Sequence, residues 1–179
     1  MRYFTFLLVL FFSGIALPQE PAWLLVDTQK KVIQVRQGGV VLAVFANISL
    51  GRNGAGHKQQ SGDDITPIGH YKIAYINDKS HFRKFFGLNY PSVYDAGLAL
   101  YRESITYADY QKIMQAHRHN KLPPQNTILG GRIGIHGVGE GNHKVHGAFD
   151  WTHGCVAVSN QQIDRLAHWV FQGMRVEIK

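Results

Sequence analysis

Residues 132–160, RIGIHGVGEGNHKVHGAFDWTHGCVAVSN, hold the reading on which the fold turns. Residues 132–136 and 155–158 are short runs built on Ile and Val, and both read as strands. Fifteen residues, 137–151, separate His136 from Thr152 and are rich in glycine and polar side chains. Ser159 then opens a helix, with Gln162 at the capping-box position three residues later. Ile163, Leu166, Ala167 and Val170 recur at helical spacing and give that helix a buried stripe. Gly173 supplies its stop, and MRVEI follows as a closing strand.

Towards the N-terminus, AWLLVDT, KKVIQVRQ and VVLAVFANISLG are rich in Val, Leu and Ile. Gln29 and the pair Gly38 and Gly39 punctuate them, so three strands are expected. DDITPIGHYKI carries turn chemistry, because Pro67 fixes φ and Gly69 is free to take positive φ. Tyr71, Ile73 and Tyr75 then alternate as one face of a further strand. These read as antiparallel strands with tight connections rather than a βαβ series. The middle, 77–129, is less regular. GLNYPSVYD reads as a loop because Pro91 disfavours helix at Tyr90. SITYADYQKIMQAHRHN predicts a helix, with Thr106 and Asp109 as its capping pair and Tyr110, Ile113, Met114 and His117 on one face. The segment 77–129 is the candidate lid. The expected fold is mainly β, a β-rich α+β single domain of sandwich or barrel type with two helices, and the sequence shows no internal repeat or linker.

The first residues bear on location. MRYFTFLLVLFFSGIALPQEP has one positive charge, at Arg2, followed by an apolar run ending at Phe12. Gly14 and Ala16 take the spacing signal peptidase prefers, so residues 1–16 read as a signal peptide. The block is short for a membrane span, and an uncleaved N-terminal anchor is the competing reading. With no cysteine nearby, a lipoprotein anchor is excluded. Removing residues 1–16 leaves 163 residues, 17–179, and lowers the formal charge from +7 to +6 with the loss of Arg2. That length suits one domain burying roughly 70% of its unfolded surface. The basic balance favours anionic partners such as cell-wall polymers. Lys and Arg are scattered, without the stripe or aromatic interleaving that nucleic acid requires.

Export makes the single cysteine, Cys155, informative. It has no intramolecular disulfide partner, so it is either a reactive thiol or a buried small hydrophobe. Its neighbourhood favours chemistry, since five of the ten histidines lie beyond residue 130. His168 sits in the terminal helix and reads as a packing or surface residue. His153 precedes Cys155 by two, and on an extended backbone the two side chains share a face about 7 Å apart. An adjacent imidazole lowers a thiol pKa by several units. His136, followed by Gly137, is the competing base, and spacing alone does not choose between them. Gly154 leaves room for a substrate carbonyl, and the amides of Gly154 and Cys155 are candidate oxyanion donors. A zinc site of His143, His146, His153 and Cys155 has suitable ligand types. Their spacing matches no paired-ligand motif, and no metal is expected. Gly137 to Gly141 hints at a nucleotide loop, but its third glycine is misplaced and no helix follows. It reads as a flexible connection.

Taken together, these residues resemble the YkuD-type L,D-transpeptidase catalytic domain. His136 and Gly137, the intervening loop, and then Thr152, His153, Gly154 and Cys155 follow that family's order. DDITPIGHYKI looks like its Thr-Pro-x-Gly element, and FFGLNYPSVYD and DWTHGCVAVSN look most like the YafK-like branch. The likeness spans roughly residues 23–179. It implies Cys155 as nucleophile, His136 as general base oriented by the Gly137 carbonyl, and His153 in support. It also implies attack on a peptidoglycan stem tetrapeptide between its L- and D-centres. A thioester acyl-enzyme would pass to an amine or to water, with no metal or organic cofactor. Trp151, Thr152, Ala157 and Tyr90 are the expected substrate contacts. Ala157 stands where cross-linking members usually carry Arg or Asn, which keeps a hydrolytic alternative open: carboxypeptidase, or amidase releasing a wall-linked lipoprotein. The resemblance implies a periplasmic or cell-wall location. A reading of another class is a catalytically inert wall-binding module. The complete set of His136, His153, Gly154 and Cys155 argues against it.

Overall fold

The structure is a computed structural model and describes residues 20–179. The expected signal peptide, 1–16, lies outside the described residues. Ten strands form: β1 (Trp23–Asp27), β2 (Val32–Gln37), β3 (Val40–Ala46), β4 (Ala55–Gly56), β5 (Thr66–Pro67), β6 (Gly69–Ser80), β7 (Arg83–Leu88), β8 (Gly134–His136), β9 (Val156–Ala157) and β10 (Arg175–Ile178). Eight of them make one sheet in the order β3-β2-β1-β10-β6-β7-β8-β9, and β4 pairs with β5 separately. The sheet curls until its ends meet. Ser49, three residues past β3, exchanges two backbone hydrogen bonds with Ala157 of β9, at 2.9 and 2.8 Å. The β-rich, barrel-like expectation is therefore met.

Pairing departs from the all-antiparallel expectation in three places. β1 runs parallel to β10, β4 to β5, and β8 to β9. Parallel neighbours need a crossover connection. For β8 and β9 the crossover is the glycine-rich segment between them, so its length is a topological requirement.

There are three helices where two were expected: α1 (Val93–Tyr101), α2 (Tyr107–Arg118) and α3 (Asn160–Ala167). α1 falls in the stretch read as a loop. Proline restrains only the residue before it, and Ser92, just after Pro91, is a helix cap. Its hydroxyl accepts the Asp95 amide at 3.2 Å, and Asp95 accepts the Ser92 amide at 2.8 Å, a complete capping box. α2 is capped by Thr106 as expected, and α3 by Ser159 with Gln162. α3 ends at Ala167, before Gly173, whose φ of +90° instead serves the turn into β10.

The core lies under the curled sheet and takes Leu24, Val26, Ile33, Val35, Ile73, Ile135, Val156, Ile163 and Leu166. Ala96, Ala99, Ile105 and Ile113 of the helical excursion are buried in it as well. α1 and α2 are therefore packed layers rather than a lid. The part of 77–129 that borders the site is the far end of the β6/β7 hairpin.

Candidate active site

The parallel register of β8 and β9 sets His136 level with Ala157 and Ile135 level with Val156. Cys155 stands immediately before β9. The pairing of β8 with β9 therefore brings the end of β8, His136, close to the residue that leads into β9. Strand spacing and rise place their Cα atoms roughly 8 Å apart. Both line a cleft of about 690 Å³ whose walls include Arg52, Tyr75, Lys79, Phe82, Phe85, Arg132, Trp151 and His153. Arg52, Lys79 and Arg132 give the cleft basic side chains, and among the described residues no Asp or Glu lines it.

His136 is 2% exposed and held in an aromatic box. Phe82 lies 4.2 Å from its ring centroid, Phe85 stacks at 5.9 Å, and Trp151 meets it edge-on at 5.8 Å. Nδ1 donates to the Gly137 carbonyl at 2.6 Å. That bond assigns the proton to Nδ1 and leaves Nε2 as the basic nitrogen. Burial pushes the imidazole pKa down to about 4, against the pull of the Gly137 carbonyl. Gly137 must lack a side chain, since a Cβ there would stand 2.8 Å from the Phe82 carbonyl.

This burial predicts a pH dependence of stability. In the unfolded chain His136 regains its ordinary value of 6.5, against about 4 when folded. The unfolded state therefore takes up the proton first on acidification. The contribution is fully present above pH 6.5 and lost as pH falls towards 4, on the order of 3 kcal/mol. Urea unfolding at pH 7 and pH 4.5 should register the loss, and His136→Gln should flatten it.

Cys155 is half-buried, and its thiol donates to the Arg132 carbonyl at 3.5 Å. Arg132 takes φ of +56°, a left-handed backbone rare for a residue with a side chain, and this turn presents its carbonyl. Burial pushes the thiol pKa up to about 11, partly offset by the Gly134 amide and the charge of Lys58. The resting pair is thus a neutral thiol and a neutral imidazole. His153 is engaged elsewhere: its side chain is 74% exposed and Nδ1 donates to Asp64 Oδ1 at 2.7 Å. Spacing left His136 and His153 open as the base; His153 is drawn to Asp64, because the loop turns at Gly154 rather than staying extended.

That turn is fixed by hydroxyls. Thr152 Oγ1 accepts the Gly154 amide at 3.1 Å and donates to the Cys155 carbonyl at 2.7 Å. Thr66 Oγ1 lies 3.4 Å from the same carbonyl and accepts the Gly51 amide at 2.8 Å. Thr152 lines the cleft with its hydroxyl committed, and the Gly154 amide is engaged too. Of the two expected oxyanion donors, the Cys155 amide is the one this loop does not use. Gly154 has φ of +123°, and a Cβ would stand 2.7 Å from the Ile65 carbonyl. Gly154→Ala should therefore cost roughly 2 kcal/mol or more, read as a lower unfolding midpoint together with reduced turnover.

Two expected substrate contacts lie elsewhere. Tyr90 is fully buried and donates to the Leu129 carbonyl at 3.1 Å, in the core under α1. Ala157 is fully buried at the sheet closure with Ser49. Trp151 does line the cleft. The remaining histidines disperse, His143 onto the Gly139 carbonyl at 3.1 Å and His146 onto Ser49 Oγ at 3.2 Å. Among the described residues no three His, Cys, Asp or Glu side chains converge as metal ligands.

Several contributors were not singled out from sequence. Tyr75 belonged to an alternating core face, but a bulge between Ile73 and Tyr75 re-aims it into the cleft. Asn160 clamps the segment after His136, accepting the Gly139 amide at 2.7 Å and donating to its carbonyl at 2.8 Å. The glycine-rich connection is pinned there rather than free. The conspicuous signal was Thr66 before Pro67, legible as a turn but not as a support for the Cys155 carbonyl.

Residues 21–178 match the family model of the L,D-transpeptidase catalytic domain, YkuD. Among solved structures, the chain is similar to the helical cell shape determining protein Pgp2 from Campylobacter jejuni. That likeness has 20% identity, covers 90% of this chain and 49% of that one, and has a TM-score of 0.60. Bd1075 from Bdellovibrio bacteriovorus is similar at 19% identity over 90% of this chain and 48% of its own, with a TM-score of 0.54. A C442S mutant of the L,D-transpeptidase from Enterococcus faecium is similar at 11% identity over 89% of this chain and 50% of its own, with a TM-score of 0.52. At these identities the likeness is one of fold, and the chain spans about half the length of those structures. No curated protein sequence matches the chain.

Proposed function

The chain belongs to the L,D-transpeptidase catalytic-domain family, and from that premise we propose that it is a cysteine-dependent peptidoglycan L,D-transpeptidase acting outside the cytoplasm. The observation that carries the proposal is that Cys155 and His136 line one cleft in which, among the described residues, no carboxylate takes part. A stem peptide ends in a carboxylate, and Arg52, Lys79 and Arg132 suit it by charge. The leader-like residues 1–16 support export. Among the described residues no helix is long and apolar enough to cross a membrane.

The chemistry follows from the neutral resting pair. As a stem tetrapeptide docks, His136 Nε2 takes the thiol proton while sulfur attacks the carbonyl between the L- and D-centres. The tetrahedral oxyanion forms beside the Cys155 amide. The C–N bond breaks, the imidazolium returns its proton to the departing D-residue amine, and a thioester remains on Cys155. An amine acceptor then attacks the thioester, giving its proton to Nε2, and the thiol is regenerated. Water in place of the amine gives hydrolysis. Incubation with tetrapeptide muropeptides, lipoprotein-linked muropeptides and an amine acceptor, read by mass spectrometry, tests this. New cross-links support transfer, whereas loss of the terminal D-residue alone, or release of the lipoprotein fragment, would replace it by a hydrolase reading.

A further inference from the structure

Among the described residues Lys58 is the only buried lysine or arginine. Its side chain is 3% exposed and pairs with Asp63, whose side chain is 13% exposed. Burying a cation is unfavourable unless its partner is held rigidly, and Asp63 is so held. Asp63 Oδ1 also accepts the Ile65 amide at 3.1 Å, and Oδ2 accepts the amides of Gln59 and Gln60 at 2.8 and 3.2 Å. Every oxygen of the carboxylate is used, and the pair locks the turn from residue 58 to residue 65.

The residues after Asp63 then grip the thiol-bearing loop one after another. Asp64 accepts His153 Nδ1 at 2.7 Å. The Ile65 carbonyl packs so closely on Gly154 that a Cβ there would approach to 2.7 Å. Thr66 Oγ1 lies 3.4 Å from the Cys155 carbonyl. Three consecutive residues thus meet three consecutive residues of the loop, and the segment is anchored at one end by a buried ion pair.

We infer that the buried pair of Lys58 and Asp63 is a positioning device for the Cys155 thiol, holding the loop 153–155 through residues 64–66. This rests on the reading of Cys155 as nucleophile. His136, Tyr75 and Arg132 share the cleft with the thiol. Lys58 is the cation that favours the thiolate among the causes acting on Cys155, while burial disfavours it. Burial also opposes ionisation of Asp63, but Lys58 and three amides outweigh it and hold that carboxyl below its ordinary range.

The test measures iodoacetamide alkylation of Cys155 at pH 9 in the full chain, alongside kcat and KM on a tetrapeptide muropeptide, for Lys58→Met, Lys58→Arg and Asp63→Asn. Thermal melting confirms that each variant is folded. Lys58→Met should slow alkylation about threefold through a smaller thiolate fraction and lower kcat roughly 10- to 100-fold with KM little changed. Asp63→Asn should also lower kcat, yet leave alkylation as fast or faster, because the cation loses its counter-charge. Lys58→Arg should recover alkylation. These opposite signs are what simple loosening does not produce. Equal alkylation and kcat in folded Lys58→Met and wild type would overturn the inference, as would slowed alkylation in both Lys58→Met and Asp63→Asn. If Lys58→Met does not fold, Lys58→Arg and Thr66→Val carry the test: Thr66→Val should lower kcat with alkylation unchanged, and wild-type kcat in it overturns the inference. Failure of the catalytic reading is separately visible, because wild type and Cys155→Ala would then give identical muropeptide products while the alkylation rates still report on the thiol.

Discussion

Cys155→Ala should reduce turnover of tetrapeptide muropeptides to background, a loss on the order of 10⁴-fold or more in kcat/KM. The sulfur forms the only covalent bond between enzyme and substrate in the proposed sequence, and no other cysteine exists in the chain to replace it. The fold should survive. The thiol's bonds are weak, to the Arg132 carbonyl at 3.5 Å and the Gly134 amide, and the loop is held by Thr152 and Thr66 through the Cys155 backbone. Melting temperature should therefore stay within a few degrees while activity vanishes. Intact-mass spectra should show a substrate-derived adduct on wild type and none on the variant. Identical products from the two proteins would remove Cys155 from the chemistry and leave the family fold with another function.

His136→Asn should lower kcat/KM roughly 10²- to 10⁴-fold, the range for removing a general base. With the thiol pKa near 11 and the imidazole pKa near 4, neither group is charged at neutral pH. Attack then requires a base that removes the proton as the bond forms. Wild-type kcat/KM should rise as pH increases through about 4, where His136 loses its proton, and stay level at neutral pH. The variant should lack that limb and instead gain activity towards alkaline pH, as free thiolate becomes available. His153→Asn should cost less than about tenfold, because His153 points to Asp64 from an exposed position. A His153 variant as impaired as His136→Asn would exchange their roles.

Much of this was legible in the chain itself, for local reasons. Thr106 and Ser159 announced α2 and α3 because capping is settled within four residues. Ser92 carried the same signal for α1, but the proline before it drew the reading to a loop. Tyr75 fell on the buried phase of a period-2 pattern, and one extra residue in β6 moved it to the cleft. Such a bulge leaves no mark in the alternation itself. Tyr90 looked like a site residue from its motif, yet it lies in the core, since aromatic side chains serve either place.

The sequence by itself determined seven of the ten strands, missing β4, β5 and β7, and two of the helices, and it singled out Cys155, His136 and Gly154 as candidates, because these depend on residue type, spacing and local backbone chemistry. Only the tertiary structure decided where the two candidate histidines lie relative to the thiol. Parallel pairing of β8 and β9 brings His136, nineteen positions away along the chain, close to Cys155, while Asp64, far away in sequence, draws His153 aside. The charge state was decided there too. Burial among Phe82, Phe85 and Trp151 keeps the imidazole neutral, and burial of the sulfur keeps the thiol protonated, since desolvation disfavours whichever form is charged.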